Sequence, residues 1–157
     1  MNSAGADTVP PKNILILSVD GGGVRGVFPA TILRLIEERL ELKLSDYVTI
    51  FAGTSTGSIL AAGMALGISA AKLQELYVKH APSIFMRRVI GQFDRCSLVA
   101  SRYGQRELAK LLDEQFRHET LGSLKTPLII PSVDIGAGAV HVFKSGYHPS
   151  FVRDRDV

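Results

Sequence analysis

The residues best suited to chemistry are Gly53-Thr54-Ser55-Thr56-Gly57. A serine with glycines two positions to either side fits the apex of a sharp turn from a strand into a helix, its hydroxyl standing clear of the backbone. The glycines let the two elements approach without Cβ clashes. At the start of the following helix, backbone N–H groups and the helix dipole favour developing negative charge, as attack on a carbonyl requires. Ser55 is therefore the expected nucleophile. A second cluster, Asp20-Gly21-Gly22-Gly23-Val24-Arg25-Gly26, lies upstream. As Gly-x-Gly-x-x-Gly between a strand and a helix it matches a dinucleotide fingerprint, and Glu41 lies at a suitable distance for a ribose contact. Glu41 falls at the end of the first helix, however, where the fingerprint needs the end of the second strand. A nucleotide site also leaves the serine motif without a use. Read as an oxyanion hole, the N–H groups of Gly21, Gly22 and Gly23 face Ser55 across adjacent strand ends, and both loops have a role. Arg25 holds that loop through an ion pair or offsets negative charge beside it.

These loops need a scaffold that the pattern supplies. Residues 14–19 form a continuous apolar run, expected to be a central parallel strand covered on both faces. Pro29 suits the first turn of a helix whose apolar face is Ile32, Leu33, Ile36 and Leu40. Residues 47–51 read as a second buried strand, and the small-residue run 58–66 as a closely packed helix ending at Gly67. Ser69 should cap a third helix, through Leu73, Leu76, Tyr77 and His80, that Pro82 stops. A fourth helix carries Leu108, Leu111, Leu112 and Phe116 and ends near His118. Residues 127–135 and 139–143 form a hairpin around Gly136-Ala137-Gly138, with Pro131 marking an edge or a bulge. The last stretch, 146–157, is polar with no apolar element to dock. Alternating strands and helices imply an α/β fold with a mostly parallel sheet and a right-handed first crossover.

The bulk properties exclude more than they assign. A chain of 157 residues, 46% hydrophobic and 21% charged, is one domain's worth. A net charge of +3 and a pI near 9.2 are too mild to argue for nucleic acid. The single cysteine, Cys96, rules out an internal disulfide and points to a reducing, cytoplasmic setting. Residues 1–13 read as a disordered leader without the layout of a secretory signal, leaving 14–157 as the domain. Residues 86–106, from Met86 to Arg106, hold five arginines against one aspartate, a local charge of +4. With Phe85, Val89, Ile90 and Phe93 interleaved they read as a surface excursion that touches a membrane peripherally, or whose arginines pair with carboxylates elsewhere.

The paired motifs, the glycine loop followed by the Gly-Thr-Ser-Thr-Gly turn, resemble the patatin-like phospholipase family from about Ile14 through Phe143. That resemblance implies a three-layer α/β sandwich related to the α/β-hydrolases and hydrolysis of lipid acyl esters such as phospholipids. It implies Ser55 as nucleophile, an oxyanion hole at Gly21, Gly22 and Gly23, and no cofactor or metal. It also implies a partner aspartate in a downstream Asp-Gly-Gly or Asp-Gly-Ala. Here Asp94, Asp113, Asp134, Asp154 and Asp156 are followed by Arg, Glu, Ile, Arg and Val, so no residue maps onto that base. The domain is accordingly expected to be its N-terminal portion, truncated and nearly inactive by itself, since a serine without its base loses roughly 10⁴- to 10⁶-fold in turnover. The rival reading is a catalytically dead remnant kept as a membrane- or partner-binding module. Of His80, His118, His141 and His148, His141 is the best placed to replace the base. A sheet cut short would expose an edge and invite self-association.

Overall fold

The structure is a computed structural model in which residues 13–85, 105–117, 119–154 and 156–157 are described. Four strands and four helices follow in the order β1 (Ile16–Val19), α1 (Val27–Leu40), β2 (Ile50–Gly53), α2 (Thr56–Ala65), α3 (Ala70–Phe85), α4 (Gln105–Phe116), β3 (Leu128–Asp134) and β4 (Ala139–Lys144). They build one sheet in the order β1-β2-β3-β4. β1 pairs with β2 and β2 with β3 in parallel, and β3 pairs with β4 as the antiparallel hairpin. The mostly parallel α/β sheet expected from the sequence is thus present.

Strand residues alternate between the two faces, and the faces differ. Leu17, Val19, Phe51, Gly53 and Leu128 share the side on which α2 lies, because a side chain at Gly53 would run into the backbone of Gly57 and Ser58. Phe51 and Leu128 are buried there, in one core with Ala30 and Leu33 of α1, Leu60 and Met64 of α2, and Leu73 and Tyr77 of α3. On the other face Ile16, Pro131, Val133 and Val140 are exposed. Among the described residues the helices therefore cover one side of the sheet.

Three expectations need correction. The run 14–19 is expected to be a central strand covered on both faces, but among the described residues β1 is the outermost strand of the sheet, and Ile14, Leu15 and Ile16 are exposed. An apolar run reports only a tendency to be buried; which strands flank it is decided elsewhere in the chain. The second strand starts at Ile50, because Leu44–Asp46 forms a turn of 3-10 helix that buries Leu44 and leaves Tyr47 outside. α3 continues through Pro82 to Phe85. A proline there leaves the carbonyl four residues earlier without its N–H partner, and that residue, Val78, is exposed, so water can replace the lost bond. The positively charged segment 86–104 and His118 lie outside the described residues.

The remaining local readings hold. Gly67 adopts a left-handed conformation after α2, and the Ser69 hydroxyl accepts the Lys72 N–H at the start of α3. Pro131 sits where β3 has run past the last residue of β2, so its missing N–H has no strand to face. The polar C-terminal stretch does dock, by hydrogen bonds in place of apolar burial. Asp154 is buried, accepts the Lys144 N–H and meets His141 Nε2 at 3.1 Å, while the Leu121 N–H donates to the Val157 carbonyl.

The helical layer is tied to the first crossover by Glu37. Its Oε1 accepts the N–H of Leu44 at 3.0 Å and its Oε2 the N–H of Ala70, the first residue of α3, at 2.8 Å. A carboxylate at that helix start also meets the positive end of its dipole. Glu37→Ala should lose about 2–3 kcal/mol, because two half-buried donors lose their acceptor at once. Glu37→Gln, which retains one acceptor oxygen, should lose about half as much. Thermal melts by circular dichroism of the three proteins test this ordering.

Candidate active site

Ser55 lies between β2 and α2 with φ 51° and ψ −123°. A non-glycine residue there is strained, at a cost of order 1–3 kcal/mol. The surrounding backbone imposes it: Gly57 N–H donates to the Thr54 carbonyl, Ser58 N–H and hydroxyl both donate to the Ser55 carbonyl, and Thr54 N–H donates to the Val19 carbonyl. The side chain of Ser55 is exposed, while Thr56 and Gly57 behind it are buried. Close approach explains the flanking glycines. A Cβ on Gly57 would stand 2.1 Å from the Val19 carbonyl oxygen, and one on Gly53 would stand 2.4 Å from the Gly57 carbonyl oxygen.

The glycine loop is fastened to this turn. Gly21 N–H donates to Thr54 Oγ1 at 2.9 Å, and Gly22 N–H donates to Thr56 Oγ1 at 3.1 Å. A Cβ on Gly21 would lie 2.8 Å from that of Ser55, so the two loops touch at the serine itself. Two of the three glycine N–H groups singled out in the sequence thus already have hydroxyl acceptors. The third belongs to Gly23, which has φ 58° and opens a 3-10 turn, Gly23–Gly26, continuous with α1. As the first residue of a helical run it has no carbonyl one turn earlier to satisfy its N–H. Gly23 and Thr56 thus each open a helical run, and the loop that leads into the first touches Ser55 through Gly21. The exposed Arg25 donates its backbone N–H to the Gly22 carbonyl and has no ion pair among the described residues. With Asp20 it stands at the mouth of an apolar groove of about 410 Å³ between β1 and α1, lined by Leu17, Phe28 and Ile32.

Sequence reasoning placed Tyr77 on an apolar helix face and missed its second contact. Its hydroxyl donates to the Thr56 carbonyl at 2.7 Å, and its ring lies where Gly26 has no side chain. Burial pushes the Tyr77 hydroxyl up to about 12. No sequence signal marks this role, because a tyrosine at core spacing looks the same whether or not its hydroxyl finds a carbonyl.

Among the described histidines none is hydrogen-bonded to Ser55. β3 separates β4 from β2, and His141 on β4 is engaged with Asp154 at the outer margin of the sheet. His148 Nδ1 accepts the hydroxyl and N–H of Ser150 in a local turn, and His80 lies on α3 one turn beyond Tyr77. Among the described residues, Ser55 Oγ has no hydrogen-bond partner, and no group of three or more His, Cys, Asp or Glu could hold a metal ion. No described helix is long and apolar enough to cross a membrane.

The family model described as "Patatin-like phospholipase" matches residues 17–155. This chain belongs to the patatin-like phospholipase family. It is 36% identical over 157 residues to a protein of Vibrio cholerae named "cGAMP-activated phospholipase", covering 91% of this chain and 44% of that protein. It is 34% identical over 143 residues to "Patatin-like protein 2" of Oryza sativa subsp. indica, covering 79% of this chain and 35% of that one. "Patatin-17" of Solanum cardiophyllum is 30% identical over 144 residues, with 83% and 36% covered. The patatin-like chain described here spans less than half the length of these relatives.

Two substitutions probe the patatin-like elbow without assuming an activity. Gly57→Ala should be destabilised by roughly 3 kcal/mol or more, because its methyl meets backbone that cannot withdraw. A melt within a degree or two of wild type would refute the close approach of α2 to β1. For Tyr77 the acid is held protonated in the folded state, from an ordinary value of 10 up to about 12. Its contribution is therefore complete below about pH 10 and lost as pH rises toward about 12. The stability advantage of wild type over Tyr77→Phe in urea titrations should shrink across that interval.

Proposed function

We propose that the chain carries the nucleophile and oxyanion loop of a serine acylhydrolase acting on lipid acyl esters. The observation that supports this reading is the strained, exposed Ser55 at a helix start, against a glycine loop that hydrogen bonds fasten to it. Ser55 Oγ attacks the ester carbonyl, and negative charge builds on the carbonyl oxygen. Two helix starts face that charge, and fixed backbone dipoles stabilise it without reorganising. Gly23 N–H is the donor left for the oxyanion, while Gly21 and Gly22 set the loop's shape through Thr54 and Thr56. Collapse breaks the ester C–O bond and releases the alcohol, which carries away the serine's proton. Water then attacks the acyl-serine and frees the fatty acid. Acyl esters of phospholipids are the substrate class, by the names of the relatives. Activation by cGAMP, named for the Vibrio protein, is not carried over, because the similarly related rice protein bears no such name.

Among the described residues no base is hydrogen-bonded to Ser55, so hydrolysis by the chain alone should be slow. Fluorophosphonate labelling separates nucleophile from turnover. The chain should label at one site over hours, Ser55→Ala should not label, and short-chain p-nitrophenyl ester turnover should stay near background. Labelling that survives in Ser55→Ala removes the assignment of the nucleophile. Absent labelling in a folded wild type favours the inert binding module. Rapid Ser55-dependent turnover would mean that a base lies within these residues.

A further inference from the structure

Ile135 is 93% exposed, the most exposed of the described large hydrophobic side chains, and it stands at the tip of the β3–β4 hairpin. Val133 and Val140, paired across the two strands, are 68% and 73% exposed beside it. The turn between them reads Asp134-Ile135-Gly136-Ala137-Gly138-Ala139, apolar where surface turns are ordinarily polar. Its one charge is turned onto the turn itself: Asp134 Oδ1 accepts the N–H groups of Gly136 at 2.9 Å and Ala137 at 3.0 Å. Two tip donors are thus satisfied before the turn meets an apolar medium, where an unsatisfied N–H is costly.

The register fixes where this tip points. β3 runs parallel to β2 with Ile129 opposite Ala52, so Ile130 is level with Gly53 and β3 continues past the end of β2. At about 3.3 Å per residue, Ile135 projects roughly 16 Å beyond Ile130, on the end of the sheet that carries Ser55. Further down the same hairpin, Lys144 shares a face with Val140 and Val142, and its Nζ lies 4.6 Å from the centre of the Phe151 ring. Arg153 lines the same cleft. The carboxylate there, Asp154, is engaged with His141 and the Lys144 backbone N–H, and forms no ion pair with Lys144 or Arg153 among the described residues.

We propose that the β3–β4 hairpin is the surface by which this protein meets a phospholipid bilayer. Val133, Ile135 and Val140 enter the acyl boundary while Lys144 and Arg153 stay at the level of the phosphates. The choice of occupant rests on the acylhydrolase reading, because the tip lies on the nucleophile's side. The test, however, needs no catalysis. The sequence contains no tryptophan, so Ile135→Trp creates a single reporter. Its emission should shift to the blue on adding vesicles of phosphatidylcholine with phosphatidylglycerol. Tyr47→Trp, at the opposite end of β2, should not shift. In cosedimentation, Ile135→Asp should bind these vesicles roughly tenfold or more weakly. Lys144→Glu should weaken binding to phosphatidylglycerol vesicles more than to pure phosphatidylcholine. Ile135→Asp should leave fluorophosphonate labelling of Ser55 unchanged, so a failure of the nucleophile and a failure of this surface are read separately. Unchanged Ile135→Trp emission with lipid overturns the proposal, as does an equal shift at position 47. A blue shift in buffer alone that grows with protein concentration also overturns it, because a second copy then covers the tip.

Discussion

The carbonyl of Val19 and the backbone of Gly57 are close enough that no Cβ fits between them, and the rest of the site depends on that contact. It brings the start of α2 down onto the end of β1, beyond the strand that α2 follows. The serine at the junction must then turn through φ 51° to connect β2 to a helix already in position. Backbone strain at Ser55 and the absence of side chains at Gly53 and Gly57 are consequences of one packing distance. The hydroxyl is left outside because the interior is full.

The same contact sets the electrostatics. With α2 seated on β1, the loop that leaves β1 lies within hydrogen-bond reach of the turn, and the hydroxyls of Thr54 and Thr56 take up the N–H groups of Gly21 and Gly22. The helical run from Gly23 and the helix from Thr56 then begin side by side. Each start has unpaired N–H groups and a partial positive charge. Tyr77 holds the arrangement from behind, with its ring against Gly26 and its hydroxyl on the Thr56 carbonyl. Burial pushes that hydroxyl up to about 12, so it stays a donor well into alkaline pH.

Polar contacts and apolar burial divide the sheet between them. Beneath the helices, β1, β2 and β3 bury Val19, Phe51 and Leu128. At the far margin, β4 is held by the C-terminal stretch through Asp154. Beyond β2 the hairpin has no paired strand on that side among the described residues, so Pro131 is tolerated, and Val133, Ile135 and Val140 are exposed.

What the sequence determined by itself is what short-range chemistry decides. Gly-x-Ser-x-Gly between a β-favouring run and a small-residue helix specified the elbow, because only side-chain-free positions permit that turn. Caps at Ser69 and Gly67 and the hairpin about residues 136–138 followed from hydrogen bonds made within a few residues. Tertiary structure decided the rest. The run 14–19 is apolar in either setting, so periodicity could not tell whether helices or strands cover it, and among the described residues β1 has a neighbour on one side only. Pro82 stays inside α3 because solvent reaches the carbonyl it leaves unpaired, and exposure belongs to the fold. Asp154 and Tyr77 acquire their roles from partners 13 and 21 residues away, His141 and Thr56, whose approach no local pattern encodes. The occupation of the Gly21 and Gly22 N–H groups by Thr54 and Thr56 exists only once the two loops are packed together.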